Sequence, residues 1–290
     1  MIIGEYNMNE TDFFLCVQFV FHDFLDKNWD QSFFNISEKL ESEFDIKYKR
    51  FAFSYLQDEI KLKNLLLNSQ NIKKYETIKK NNDIIHISVY SLLSSETPLH
   101  NAEFELSINK KYNKIYPNPK LYIHFELHKL NTVFNGNWRK LFTDLLNIAN
   151  RFGKVKYGLL EPLQKEKGPS FYFLGLPMST LPEEEKIRVW AWKKNMKNFD
   201  TLIRDVYFAN FISAGHLHKN EHLLDKVSDL VGSENILSQK EGTIFYLPFE
   251  LCDISKKPNE INEIRNNLRK YFATNNLLMI NKGNDPYETL

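Results

Sequence analysis

Apolar runs with a two-residue period predict several strands in the first half of the chain. Residues 13–24 read FFLCVQFVFHDF, and their aromatic and β-branched side chains predict a strand buried on both faces. Residues 48–56, YKRFAFSYL, alternate between polar and apolar side chains and predict a second strand. Three further strand-like runs follow at 84–93, 102–109 and 121–130. Proline-containing turns separate these three runs, so we expect them to form an antiparallel meander.

A spacing of three to four residues between apolar side chains predicts the helices. The clearest helix is 137–152, whose apolar stripe ends just before Gly153, a residue suited to a helix C-terminus. A helix at 33–44 would follow a cap at Asp30 or Ser32. The Lys- and Asn-rich segment 68–82 predicts an exposed connection. Further helices are predicted at 62–67, from 183 onward, at 199–211, at 222–231 and at 261–272, with strands at 155–160 and 243–251.

These elements predict an α+β fold with a mainly antiparallel sheet and helices packed on one side. The 290 residues fit a single α+β domain, 1–290, or two subdomains at 1–153 and 154–290. Hydrophobic residues make up 42% of the chain and aromatic residues 14%, which is ample for a substantial core.

The net charge of +1 conceals an uneven distribution. Residues 1–60 carry five basic and twelve acidic side chains, whereas residues 61–160 carry sixteen basic and seven acidic ones. Such a bipolar surface can steer a charged partner, although the two regions could equally face water or each other. We predict partner contacts at seven acidic residues: Asp26, Asp30, Glu38, Glu41, Glu183, Glu184 and Glu185. The last three would also suit the first turn of a helix without any partner.

Three histidines after the predicted helix 199–211 are candidates for a metal site. His218 and His222 would share one helix face, because four residues separate them, and His216 lies nearby. No glutamate directly follows His218, as the H-E-x-x-H arrangement of metalloproteases requires, and no cysteine is close. A solvated junction between a loop and a helix accounts for the same residues, so we predict no metal or cofactor.

The run at 121–130 presents a second group with possible acid–base or metal chemistry. His124, Glu126 and His128 would lie on one face of the strand, since alternate residues of a strand share a face. Such a row is more often the polar side of a half-buried sheet, and it could also contact a protein partner. A metal-dependent hydrolase that uses His124 and His128, or His216, His218 and His222, is therefore retained as the alternative of another class.

Several other classes of protein are not supported. The chain has no G-x-S-x-G sequence, P-loop, dinucleotide fingerprint or paired CxxC motif, so nothing positive indicates an enzyme. It has no secretion signal and no apolar run long enough to span a bilayer, so we expect a cytoplasmic protein without a membrane partner. Its lysine pairs lack the interleaved aromatic residues of single-strand binders, so nucleic acid is not an expected partner.

One segment resembles a known family. Arg204, Asp205, Tyr207 and Asn210 in the run RDVYFANF, followed by His216 and Leu217, resemble a pattern found in immunity proteins of bacterial polymorphic toxin systems. The nearest family is immunity protein fifty-two, with a looser likeness to the immunity proteins of type VI secretion effectors. The likeness extends over about 138–251, although the chain has one glycine, Gly232, where those proteins often have two.

The resemblance implies a non-catalytic protein that binds a cognate toxin, often a nuclease, and protects the cell that produces it. An acidic surface would suit a basic nuclease and speed encounter with it. The resemblance fits a stable 1:1 or 2:2 complex, and a homodimer is left open. A phage-encoded inhibitor of a bacterial defence complex is the alternative with a similar mechanism.

Overall fold

The computed structural model describes residues 13–24, 28–43, 45–91, 102–111, 118–127, 136–164 and 183–279, and these residues contain one sheet of ten strands. The strands are β1 (Phe13–Phe24), β2 (Arg50–Leu56), β3 (Ile60–Leu66), β4 (Asp83–Ser91), β5 (Phe104–Asn109), β6 (Lys120–Glu126), β7 (Gly153–Gln164), β8 (Ala209–Ser213), β9 (Ile236–Gln239) and β10 (Gly242–Tyr246). The helices are α1 (Trp29–Glu43), α2 (Ser69–Lys79), α3 (Trp138–Ala149), α4 (Glu183–Lys194), α5 (Ala214–Lys219), α6 (Leu223–Val231), α7 (Asp253–Lys256) and α8 (Pro258–Thr274).

Strand β1 lies inside the sheet, whose order is β3-β2-β4-β5-β6-β1-β7-β8-β10-β9. It pairs antiparallel with β6 on one side and with β7 on the other, so that Cys16 lies opposite both His124 and Glu161. Every side chain from Phe13 to Phe21 is buried, which confirms the prediction of a strand covered on both faces. The predicted antiparallel meander is confirmed by the pairing of β4 with β5 and of β5 with β6.

The register sorts the side chains into two faces with different chemistry. Phe53, Ile87, Ile108, Leu121 and Phe19 form one row across five strands, and we call this side the apolar face. A neighbouring row points to the opposite side, which we call the polar face. Its members are Ser88, Ser107, Tyr122, Gln18, Leu159 and Asn210.

Helices cover both of these faces. On the apolar face, Tyr75 of α2 contacts the ring of Phe53, and Phe142 of α3 stacks on Phe19. On the polar face, the ring of His216 in α5 lies 6.0 Å from that of Tyr157. Helix α8 reaches the same face, where Arg265 binds Glu161.

The α+β class with an antiparallel sheet is confirmed. Within each half of the chain, these helices pack on one side of the sheet. Helices α1, α2 and α3 of the first half pack on the apolar face, and α5 and α8 of the second half pack on the polar face. The sheet runs without a break from the first half into the second through the β1–β7 pair. Division into one domain or into subdomains 1–153 and 154–290 stays a prediction.

Two predictions between β2 and β4 were wrong. Residues 60–66 form strand β3 instead of a helix, and the predicted exposed connection contains helix α2. The strand forms because β3 pairs along its whole length with β2 in a hairpin. Helix α2 is held in place by Tyr75, which is fully buried and donates a 2.7 Å hydrogen bond to Asp30.

The predicted helix at 199–211 was also wrong. A single 3-10 turn at Met196–Asn198 comes before an irregular segment, and β8 then occupies Ala209–Ser213 between β7 and β10. Pairing on both sides favours the strand, since a strand inside a sheet satisfies its backbone groups on both edges. Gly215 lies at the start of α5.

Candidate protein-binding surface

The residues that resemble the immunity-protein pattern begin after α4 and continue through β8 into α5, on the polar face of the sheet. Arg204 is almost completely buried and donates a 3.0 Å hydrogen bond to Gln18 of β1. Its guanidinium group lies 4.1 Å from the centre of the Trp192 ring, a geometry typical of a cation–π contact. Arg204 therefore joins helix α4 to the central strand.

The next residue of this pattern joins α8 to the sheet. Asp205 accepts hydrogen bonds from Arg269 Nε and Nη2, at 2.6 and 3.1 Å, and from the backbone N–H of Val206 at 2.8 Å. Burial would raise the pKa of the Asp205 carboxyl, but the charges of Arg269 and Arg188 outweigh it and lower the pKa below its usual value. The carboxylate is thus kept ionised inside the protein.

Helix α8 forms a second ion pair with strand β7. Arg265 Nη2 lies 2.7 Å from each carboxylate oxygen of Glu161, and the N–H of Phe208 donates to the same carboxylate. Burial raises the pKa of Glu161, and Arg265 only partly offsets that rise. Glu161, Arg265 and Arg269 were not among the predicted site residues. The signal available for the two arginines was their four-residue spacing on helix α8.

The remaining residues of the pattern stabilise the entry into β8. The Asn210 side chain donates to the carbonyl of Tyr207 at 2.9 Å and accepts from the Tyr207 N–H at 3.3 Å, which fixes the turn before the strand. His216 is fully buried, with Nε2 3.3 Å from the Leu202 carbonyl and Nδ1 3.3 Å from Ser213 Oγ. Because a carbonyl can only accept, Nε2 carries a proton, and burial lowers the pKa of His216 to about 4, which favours the neutral ring. These residues therefore organise the fold.

The histidine row on β6 is also built into the interior. His124 is fully buried, with Nε2 2.9 Å from the Ala102 carbonyl and Nδ1 3.1 Å from the Tyr122 hydroxyl. Burial lowers the pKa of His124 to about 4, against the smaller opposite effect of the Ala102 carbonyl. Glu126 shares this face and is buried, whereas His128 lies outside the described residues. Lys120 joins the row, and burial together with the charge of Arg204 lowers its pKa to about 7.

The candidate metal pair His218 and His222 is not brought onto one helix. Helix α5 ends at Lys219 and α6 begins at Leu223, so His218 and His222 do not share one helix. His218 is exposed, His216 points into the core, and His222 Nδ1 lies 3.2 Å from Asp225 Oδ2. Within the described ranges, no three His, Cys, Asp or Glu side chains are grouped as a metal site would require.

The acidic residues predicted to contact a partner have different surroundings. Asp30 is buried between Tyr75 and Lys79, and Glu41 accepts a hydrogen bond from the Tyr48 backbone, so both contribute to internal packing. Glu38 is exposed on α1. Glu183, Glu184 and Glu185 form the first turn of α4, as predicted. Asp26 lies outside the described residues.

Exposed apolar side chains mark a surface that was not predicted from the sequence. Among the described residues, the exposed large hydrophobic side chains are Leu62 (64%), Leu66 (56%), Trp190 (51%), Leu237 (42%) and Ile60 (40%). Three of these five belong to β3, the strand at one edge of the sheet. We call the residues 60–66 of this strand the β3 edge. The alternation of apolar side chains with lysines was its signal, but the adjacent run of leucines at 65–67 favoured a helix.

No helix in the described part of the chain combines the length and the apolar character needed to cross a membrane. The cytoplasmic location stays a prediction.

Comparison with known proteins shows a likeness of fold to a solved structure. The sequence matches no protein-family model and no curated protein. Among solved structures, the chain is similar to the type VI secretion system (T6SS) protein PA0821 of Pseudomonas aeruginosa, with a TM-score of 0.56 and 14% sequence identity. The similarity covers 89% of this chain and 71% of PA0821. At this level of identity, the likeness is one of fold.

Proposed function

We propose that this chain is a non-catalytic immunity protein associated with a type VI secretion system, and that it binds a protein toxin and blocks it sterically. The observation that carries the proposal is the likeness of fold to the T6SS protein PA0821 over 89% of the chain. It agrees in kind with the separate resemblance of 204–217 to immunity proteins. A nuclease is the toxin class that the acidic residues 1–60 would suit.

The contacts of Arg204, Asp205 and Asn210 explain why the resemblance to immunity proteins lies in residues that determine the fold. All three side chains are buried and bonded to the central strand, to α8 or to a turn of their own segment. They therefore specify how the second half of the chain packs. The surface that meets a toxin is free to differ between proteins that share this interior.

Steric inhibition also requires exposed anchors, because charge alone gives a fast encounter and little lasting affinity. The β3 edge and Trp190 supply exposed apolar side chains of the kind that dominate binding energy at interfaces. The Trp190 ring lies 5.1 Å from Lys193 Nζ, so the aromatic group is held beside a positive charge.

Co-expression with the product of the adjacent gene tests this proposal. We expect that product to stop growth of a bacterial host when expressed alone, and growth to return when this chain is co-expressed. The two proteins should co-elute as a stable complex. Absence of association with any neighbouring gene product would contradict the proposal.

A titration separates a binder from an enzyme. If the chain acts by occlusion, the activity of the purified toxin should fall in proportion to added chain and reach its minimum near equimolar amounts. Full inhibition by a small fraction of an equivalent would indicate turnover and would favour the hydrolase alternative. Metal analysis of the purified chain provides the matching control.

A further inference from the structure

We propose that the β3 edge is a docking site for an extended strand of the partner protein, in which apolar and acidic residues alternate. This inference deepens the proposed function, since it assigns the surface on which the partner is held. Binding of this kind adds a strand to an existing sheet, and backbone hydrogen bonds supply much of the affinity.

The backbone of the β3 edge is open on its outer side. Strand β3 pairs with β2, and the Leu67 N–H donates to the Lys49 carbonyl at 2.9 Å. Because the peptide groups of successive residues point to opposite sides, those of Leu62 and Asn64 point away from β2. The Asn71 side chain satisfies the Leu66 carbonyl at 2.9 Å, which leaves the open row centred on Leu62 and Asn64. None of the described residues pairs with that row.

The side chains of the β3 edge differ between its two faces. Ile60, Leu62 and Leu66 are exposed on the polar face of the sheet, where an added strand could cover them. Lys61 and Lys63 project from the apolar face, opposite Tyr55 and Phe53 of β2. A pairing strand would therefore meet leucine and isoleucine on one side and ammonium groups on the other.

Charge complementarity indicates which kind of strand would bind at the β3 edge. Residues 61–80 contain six lysines and one glutamate, so the hairpin edge and α2 form a basic region. Directly opposed residues of opposite charge stabilise paired strands, and like charges destabilise them. A partner strand with carboxylates opposite Lys61 and Lys63 is thus favoured. A second copy of this chain, paired antiparallel, would place the lysines of both copies on the same side of the junction.

Two peptides provide a test that does not require the toxin. One alternates valine with glutamate over seven residues, and the other alternates valine with lysine. We expect the glutamate peptide to slow amide hydrogen exchange at Leu62 and Asn64 in the full chain, and to bind about tenfold more tightly than the lysine peptide. The double variant Lys61→Glu, Lys63→Glu should reverse this preference. Equal binding of both peptides, binding of neither, or amides already protected without peptide would overturn the inference.

Two single variants and a matched control connect the edge to the natural partner. Asn64→Pro removes an N–H that points away from β2 and so leaves the β2–β3 ladder intact. Leu62→Thr removes an exposed apolar anchor, and Leu237→Thr makes the same change on β9, at the opposite edge of the sheet. We expect the first two to weaken binding of the adjacent-gene toxin at least about tenfold, and the control to leave it unchanged.

The peptide experiment and the toxin-binding experiment together distinguish the docking inference from the proposed function. If the toxin binds while the peptides do not, and the three variants bind it equally well, the β3 inference fails and the proposed function stands. If the peptides bind as expected but no adjacent gene product does, the docking edge stands and the immunity role fails. Concentration-dependent dimerisation that Leu62→Thr abolishes would identify a second copy as the occupant and would also overturn the inference.

Discussion

Arg269 of α8 donates two hydrogen bonds to the carboxylate of Asp205, and this ion pair lies inside the protein. The side chain of Asp205 is 5% exposed and that of Arg269 is 11% exposed. Removing one member of a buried pair leaves the other charge without compensation, which costs far more than breaking a surface pair. The contact therefore helps to hold α8 on the sheet, together with the pair that Arg265 forms with Glu161.

We expect Asp205→Asn to lower the free energy of unfolding by about 3 to 5 kcal/mol, measured by urea denaturation. Asp144→Asn is the matched control, because it removes a partner from the exposed pair with Lys140, and its effect should stay below about 0.5 kcal/mol. Equal losses in the two variants would show that the Asp205 contact does not hold α8 in place.

The stacking of Arg204 on Trp192 predicts that charge alone cannot replace the guanidinium group. Arg204→Lys keeps the charge but loses the planar contact and the hydrogen bond to Gln18, so we expect a loss of about 1 to 2 kcal/mol in the free energy of unfolding. Lys193→Ala tests the exposed contact with Trp190, where we expect about 0.5 kcal/mol or less. A fully stable Arg204→Lys variant would contradict the role given to stacking.

Two buried neutral histidines predict a loss of stability in mild acid. Burial lowers the pKa of both His124 and His216 to about 4, below the ordinary value of 6.5. Between these values the unfolded chain binds protons that the folded chain does not, so stability is fully present above pH 6.5 and falls as the pH falls towards 4. Each histidine should contribute up to about 1.4 kcal/mol per pH unit.

Urea denaturation across this pH range measures the effect. The double variant His124→Gln, His216→Gln should be less stable near neutral pH, and its stability should depend less steeply on pH. His218→Gln, which changes an exposed ring, is the control and should keep the slope of the unchanged protein. A double variant with an unchanged slope would contradict the assignment of neutral buried rings.

Close packing at the start of α5 predicts that Gly215 cannot accept a side chain. A Cβ atom at this position would lie 2.3 Å from the backbone carbonyl oxygen of Asp200. We expect Gly215→Ala to lower the free energy of unfolding by about 1 to 3 kcal/mol, because the irregular segment before β8 must move. Ala214→Ser, at the exposed neighbouring position, is the control. Thermal unfolding of the two variants provides the comparison.

Local sequence patterns predicted an element correctly where it buries an apolar stripe of its own or where polar and apolar residues clearly alternate along it. Strand β1 and helices α3, α6 and α8 follow this rule, and their predicted positions agree with the structure within a few residues. The β3 edge and β8 do not follow it, because their conformations depend on pairing with strands whose positions the local sequence does not encode.

The candidate site was harder to predict for a related reason. Asp30 and Glu161 carry charged side chains of the kind that usually lie on the surface. In the structure, Tyr75 and Arg265, which are distant in sequence, bind them in the interior. Charge counts could not separate such residues from Glu38, which is exposed. The exposed leucines of β3 became a candidate surface only once the strand order placed them at an edge.

The position of β1 has a consequence for how the chain is made. Its neighbours β6 and β7 begin only at Lys120 and Gly153, so a nascent chain emerging from the ribosome carries FFLCVQFVF without either partner strand until β6 has been translated. Such an apolar segment readily self-associates before its partner strands have been synthesised. Production of this protein should therefore depend on chaperones that shield that stretch until residue 164 has been translated.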